Sequence, residues 1–440
     1  MSGAATRREL RECPGCGMFQ VLPPLTPGMA ANCSRCGTTL RRARTDPLGR
    51  GLALTLAALV LLTVMCTTTL MTVSTAGIVH GADLLSGPEE LVRRGMSVLA
   101  VAVVFTTLLA PFGKLLATAY VLIGLRLRNP PRHLRRVFVL VERLRPWSMI
   151  DVFVFGVFVA YVKLGDIVHI SLGVGVYALF CLTIVVVWSD AVLDSHAVWD
   201  ALDREPADSA PMRRAVPVHH RLSGAIGCET CGLVSAPLVH ETHGGGAHGE
   251  ALRCPRCASV LHARKPDSIA RTWALVIAAA VLYVPANYYP VLTVMQLGAG
   301  SPSTILGGVE ELITSGMYPL AALVFFASIA VPMLKLVGLS VMLIATQARR
   351  SGRLRDRTRL SHVVRWIGRW SMIDIFMESL LGALVRFGTI VTIEPGAGAV
   401  AFCAVVILTM FAAETFDPRL MWDAAEEAAP GSARAPAQAF

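Results

Sequence analysis

Eight of the eleven cysteines stand in pairs with a two-residue gap. Cys13-Pro-Gly-Cys16 is followed after sixteen residues by Cys33-Ser-Arg-Cys36, and Cys228-Glu-Thr-Cys231 after twenty-two by Cys254-Pro-Arg-Cys257. Each gap lets two thiolates reach one ion, and two such knuckles complete a tetrahedron, the arrangement of a four-cysteine zinc site. Disulfides are the competing use of the same residues. Four protein ligands leave no open position for a catalytic water, so the expectation is two structural zinc ions and no metal chemistry. Cys66, Cys181 and Cys403 stand singly in apolar runs and read as small core residues. His243 and His248, in THGGGAH, read as a loop tip, and His219-His220 as part of a linker.

A second set of residues is placed where charge is costly. Lys114 lies eleven residues before Leu125, the end of an apolar stretch. At 1.5 Å per residue that is about 16 Å inside a membrane span. An unpaired ammonium there costs about 3 kcal/mol, so it should pair or face a wet cavity. Lys335 stands in the same setting later in the chain. Thr107, Pro111 and Lys114 fall on one helical face, as do Ser328, Pro332 and Lys335. Each proline removes an intrahelical donor, which is expected to leave the carbonyls of Thr107 and Ser328 free at a kink. Ser148-Met149-Ile150-Asp151 recurs as Ser371-Met372-Ile373-Asp374. The spacing fits a capping box at a helix start. It also offers carboxylates to the lysines, Asp151 to Lys114 and Asp374 to Lys335. Glu414, Asp190, Lys163 and Arg386 fall near span ends and read as snorkelling side chains. Pro285, Asn287 and Pro290, in YVPANYYPVL, are expected to break a span and line a cavity. The matching stretch, Val64 to Thr69, has no proline, which favours the second half for binding.

The elements that must hold these residues follow from composition and repetition. The chain has 440 residues, is 54% hydrophobic and 16% charged, and has a formal charge of +10. A soluble domain carries about 25% charged residues, and several windows here exceed the roughly 20 apolar residues that cross a bilayer. An offset of 223 maps Trp147-Ser148-Met149-Ile150-Asp151 onto Trp370–Asp374, and an offset of 221 maps Glu89-Glu90-Leu91 onto Glu310-Glu311-Leu312. The chain is therefore read as a duplication. Its expected parts are a ribbon (1–45), a four-span module (46–205), a linker (206–222), a second ribbon (223–266), a second module (267–425) and a disordered tail (426–440).

Basic residues orient the spans. Loop 126–145 carries seven arginines and loop 349–369 eight, whereas 165–175, 296–316 and 388–398 carry no Lys or Arg. The basic loops, both termini and the ribbons are thus placed in the cytoplasm, where thiols stay reduced and zinc prevails over disulfides. The positive charge is topological, which argues against nucleic acid as a partner. The apolar periodicity of Leu134, Val137, Phe138, Val141 and Leu144, and of Leu360, Val363, Val364 and Ile367, predicts amphipathic helices lying on anionic lipid. The polar N-terminus precedes any apolar run and does not read as a cleavable signal. The predicted class is an all-α polytopic membrane protein. It has two parallel repeats of four transmembrane helices, each preceded by a small cytoplasmic zinc ribbon.

Paired four-cysteine ribbons, four spans after each, Pro-x-x-Lys at 111–114 and 332–335, and Ser-Met-Ile-Asp in both halves resemble the PqiA/LetA family (paraquat-inducible protein A). The resemblance covers about residues 10–425. It implies a bacterial inner-membrane protein that works with an MCE-domain protein forming a periplasmic tunnel, the pair moving phospholipid across the envelope. It also implies a central polar site at Ser148, Asp151, Lys114, Ser371, Asp374 and Lys335. No phosphate-binding loop supplies energy, and no nucleophile–base set marks an enzyme. A proton-coupled small-molecule exporter and a non-transporting membrane scaffold are the alternatives.

Overall fold

The computed structural model describes residues 9–75, 78–131, 133–165, 169–203, 225–235, 252–296, 299–384 and 391–428. The linker at 206–222, His219-His220, His243, His248 and the tail from 429 lie outside the described residues. So do the side chains of Lys163, Asp374 and Arg386.

The chain opens with two β-hairpins, β1 (Glu9–Glu12) with β2 (Phe19–Leu22) and β3 (Ala30–Asn32) with β4 (Thr39–Arg42). Helix α1 (Pro47–Thr67) follows, with the Asp46 side chain accepting from Gly49 N at its start. Its 21 residues reach about 31 Å, enough to cross a bilayer core. At its far end β5 (Met71–Thr75) pairs with β6 (Ile78–Ala82). Then come α2 (Ser86–Arg93), α3 (Ser97–Val104), a π-turn (Phe105–Leu109) and α4 (Ala110–Gly124). The chain continues through α5 (Leu134–Leu144), α6 (Ile150–Gly165), β7 (His169–Leu172), α7 (Val174–Val192) and α8 (Ser195–Asp203). Strand β7 joins the other edge of β5, closing a three-stranded antiparallel sheet.

The same order recurs. Strands β8 (Ile226–Gly227) and β9 (Val234–Ser235) precede α9 (Ser268–Tyr288). Strands β10 (Leu292–Gln296) and β11 (Ala299–Ser303) lead to α10 (Ile305–Thr314) and α11 (Tyr318–Phe325). A second π-turn (Phe326–Ala330) enters α12 (Val331–Gln347). Helices α13 (Leu354–Gly368) and α14 (Ile373–Leu384), strand β12 (Val391–Pro395), α15 (Ala397–Thr415) and α16 (Arg419–Glu427) complete the chain. Strands β11, β10 and β12 form the second sheet. Because α1 and α9 run from a ribbon to a sheet, ribbons and sheets sit at opposite ends of the spans.

Seven described helices are long and apolar enough to cross a membrane. Helix α14 shows 12 described residues, too few to cross alone. The two halves share one core, and α6 and α14 meet at its centre. Phe153 and Phe376, equivalent at offset 223, stack edge-to-face there at 5.6 Å. Gly156 is required on α6, since a Cβ there would strike Phe376.

Four expectations change. The all-α description fits only the spans, because β-hairpins build the ribbons and β-branched runs such as Met71–Thr75 form sheets. Helix α5 forms, but Leu134, Phe138 and Val141 bury against Trp199 and the second ribbon, not against lipid. Helix α9 is not broken: it continues through Pro285, and the Asn287 amide donates to the Tyr283 carbonyl at 2.9 Å. Pro290 instead makes a corner, its carbonyl accepting from Gly398 N at 3.1 Å. Finally, α16 is helical past the expected start of the tail, because Met421, Trp422 and Ala425 are buried.

Candidate functional site

The four cysteines of each ribbon are buried, and their sulfurs lie within 4.8 Å of one another. The Sγ–Sγ separations include 3.4 Å for Cys13–Cys36, 3.6 Å for Cys16–Cys33 and 3.5 Å for both Cys228–Cys257 and Cys231–Cys254. These are far beyond the roughly 2.05 Å of a disulfide. They approach the ~3.8 Å edge of a tetrahedron with 2.3 Å metal–sulfur bonds. All four knuckles fold alike. The residue after the second cysteine (Gly17, Gly37, Gly232 or Ala258) has positive φ and donates to the carbonyl of the first cysteine at 2.8–2.9 Å. The donor sets fit a thiolate-preferring ion held without an open coordination position.

Within the spans, each Pro-x-x-Lys motif follows a π-turn. That register moves the acceptor lost to Pro111 from Thr107 to Thr106, since a π-turn pairs residues five apart. The Thr106 carbonyl accepts from Met149 N at 3.3 Å, so the proline defect of one span is filled by the Ser-Met-Ile-Asp segment of the next. The Thr107 hydroxyl donates to Val103 O at 2.7 Å. In the second half the equivalent segment closes into a 3₁₀ turn, Arg369–Met372, and the Ser371 hydroxyl is buried with no hydrogen-bond partner among the described residues. Ser371 therefore does not cap α14. Ser148 and Ser328 are also buried, and Asp151 is half-buried in the first turn of α6.

The lysines differ from expectation. Lys114 does not meet Asp151: its ammonium pairs with Asp190 of α7 at 2.7 Å. The long side chain runs towards the ribbon-side end of the spans, where Asp190 is partly exposed, rather than across to α6. Lys335 is 1% exposed. Among the described residues its ammonium has one hydrogen-bond partner, the Gly368 carbonyl at 3.1 Å. The position equivalent to Asp190 is Ala413. Sequence reading treated Asp190 as a span-end residue and missed this pairing. The signal was available, because the second half lacks a carboxylate at 413. Asn287, Pro285 and Pro290 lie at the sheet-side end of α9, away from this ribbon-side group.

On the ribbon side each ribbon docks on the other half. The first ribbon packs on Leu354 and Trp422. Arg35 pairs with Glu426 at 2.5 Å and lies 4.5 Å over the Trp422 ring, and Arg355 donates to Arg35 O at 2.7 Å. The second ribbon packs on Phe138, Trp199 and Leu202 of the first half, where Arg256 pairs with Asp203 at 2.5 Å and Asp200 at 3.3 Å. Arg35 and Arg256 are equivalent, as are Glu426 and Asp203. The ribbons touch as well: Glu12 accepts from Gly227 N at 2.8 Å, and Arg11 donates to Cys231 O at 3.3 Å. Arg419 joins Glu12 (3.1 Å), Glu229 (2.5 Å) and Asp417 (2.9 Å). Burial pulls its guanidinium down, but the bonds and charge of Asp417, then Glu229 and Glu12, raise it above its ordinary value. Burial likewise raises the Asp417 carboxyl, and Arg419 more than reverses that, leaving it below the usual range. At the equivalent position of the first half stands His196, pushed down to about 3 by burial and by the charges of Arg11 and Arg41.

A family model described as paraquat-inducible protein A matches the chain twice, over residues 48–203 and 269–426. Among curated proteins, the chain is 35% identical over 418 residues to the intermembrane transport protein PqiA of Escherichia coli strain K12, covering 93% of this chain and 95% of that one. It is 32% identical over 428 residues to the lipophilic envelope-spanning tunnel protein A of the same strain, covering 97% and 94%. A probable intermembrane transport protein of Haemophilus influenzae is 26% identical over 412 residues, covering 93% and 94%. No solved structure matches.

Proposed function

The chain belongs to the paraquat-inducible protein A family, and from that premise we propose that it is the membrane subunit of an envelope lipid-transport system. It sits in the bacterial inner membrane with both termini and both ribbons in the cytoplasm. Eight spans form two parallel repeats about an axis along the membrane normal. The sheet side faces an MCE-domain tunnel in the periplasm, to or from which it passes phospholipid. Two zinc ions hold the ribbons.

The observation that carries this reading is the buried ammonium of Lys335 beside the junction of α13 and α14, where the Ser371 hydroxyl has no partner among the described residues. Lys335 lies twelve residues from Gln347, the end of α12, or about 18 Å inside the span. A charge kept at that depth with so little compensation favours an anionic headgroup or a proton as its working partner. Ser328 and Asp374 belong to the same proposed site, and Thr107, Lys114, Ser148 and Asp151 form its counterpart. The test is transfer of fluorescent phospholipid from vesicles holding the purified protein to its tunnel partner. Lys335→Met should reduce transfer by at least tenfold. Transfer at the wild-type rate in that variant, or flux of a soluble compound without the partner, would sink the reading.

A further inference from the structure

The two ends of the spans are joined very differently. On the ribbon side, contacts cross between the halves in both directions: Arg35 to Glu426, Arg256 to Asp203 and Asp200, and Arg419 to Glu12. On the sheet side no described strand crosses. Each three-stranded sheet draws all its strands from one half. The sheet side is bridged on one flank, where Gly87 of α2 sits so close to α14 that a Cβ would strike Ser379. Glu90, on the same face, is buried and paired with Arg94 at 2.7 Å.

The equivalent face of α10 is exposed and meets none of the described residues. A Cβ at Gly308, the mate of Gly87, meets no described atom within 4 Å, and Glu311 and Ser315 are exposed. The sequence explains the difference. Ser315 replaces Arg94, so docking α10 as α2 is docked would bury Glu311 without its i+4 cation, which is unfavourable.

We propose that the crossed ribbons are a metal-dependent clasp: they hold the ribbon-side ends of the halves together, so that the halves part only on the sheet side, at the α10 flank. The clasp needs both metals, because each ribbon's docking surface is set by a fold of a few short strands around four thiolates. The use of this hinge for lipid transfer rests on the function proposed above. The hinge itself does not, and its test measures no transport.

The test places spin labels on equivalent, exposed positions through a ketone-bearing amino acid, which spares the thiols. Arg136 with Arg359 reports the ribbon side, and Val92 with Ile313 the sheet side. In full-length, zinc-loaded protein the 136–359 distance distribution should be single and narrow, and the 92–313 distribution at least twice as wide. Stripping zinc with a chelator should widen the 136–359 distribution at least twofold. Arg35→Glu with Arg256→Glu should do the same at unchanged zinc content, and adding Glu426→Arg and Asp203→Arg should narrow it again. The proposal is overturned by equal widths at both ends in the loaded protein, or by a 136–359 distribution indifferent to metal removal. It also falls if the charge-reversed protein keeps the narrow distribution.

Discussion

The two halves place a lysine at equivalent depth and treat it in opposite ways. Lys114 has Asp190 at 2.7 Å, a carboxylate that reaches towards water. Lys335 is more deeply buried and, among the described residues, has only the Gly368 carbonyl. Of these two equivalent positions, one is thus a closed ion pair and the other has no counter-ion among the described residues. Burial of an ammonium without a counter-ion costs several kcal/mol, which is why the function proposed above is centred on the second half. The ribbon side reverses the order: there the buried Arg419 of the second half joins Asp417, Glu229 and, in the first ribbon, Glu12, and the equivalent position of the first half has His196.

The largest expected effect tests the crossed ribbons. Cys33→Ser should release any ion held by the first four-cysteine cluster, and binding of a structural ion contributes on the order of 10 kcal/mol to such a ribbon. Hydrogen exchange should then rise in α13 and α16 of the second half. Cys254→Ser should instead loosen α5 and α8 of the first. Effects confined to each ribbon's own half would break the comparison.

Next is Arg419→Ala, expected to cost about 3–5 kcal/mol in thermal or denaturant unfolding, because it leaves the buried Asp417 carboxylate without its cation. His196→Ala should cost about 1 kcal/mol or less. The pH response sharpens this contrast. With Arg419 present, Asp417 titrates below its unfolded value, so its stabilisation is complete above about pH 4 and is lost as pH falls through the lowered pKa. Without the Arg419 side chain, burial is opposed only by the backbone N–H groups of Lys265 and residue 419, so the carboxyl titrates higher than in the wild type and the deficit of the variant should shrink as pH falls through that higher pKa.

The lysines follow, with opposite signs. Lys335→Met should stabilise the purified protein by about 2–3 kcal/mol while reducing the proposed transfer at least tenfold. Lys114→Met should lose about 1 kcal/mol or less, since Asp190 is left near water. A loss of stability in both would remove the difference between the halves. The smallest effect concerns Ala258, the one knuckle residue at positive φ that is not glycine. Ala258→Gly should raise ribbon stability by about 1 kcal/mol, and Gly37→Ala should lower it comparably.

How much of this was legible depended on the range of the interaction. The cysteine pairs, the spans and the third-span starts at Ile150 and Ile373 were readable because each is set by residues a few positions apart. The π-turns were not. A proline signals a missing donor, but whether the helix answers with a kink or a one-residue insertion is decided by neighbours such as Met149. The strands after α1 and α9 were masked by attention to charge in those loops, although Met71–Thr75 and Leu292–Gln296 carry β-branched residues. The amphipathic pattern of α5 was real, and its partner was misassigned, since an apolar stripe does not say whether lipid or protein covers it.

The sequence by itself determined which atoms can bind metal, which segments enter the membrane and which charges are carried there, because spacing and hydropathy act locally. Only the tertiary structure decided that Lys114 meets Asp190 and that each ribbon covers the opposite half. Those contacts join residues about 76 to 391 positions apart, and no local pattern encodes which of two equivalent surfaces a returning chain will reach.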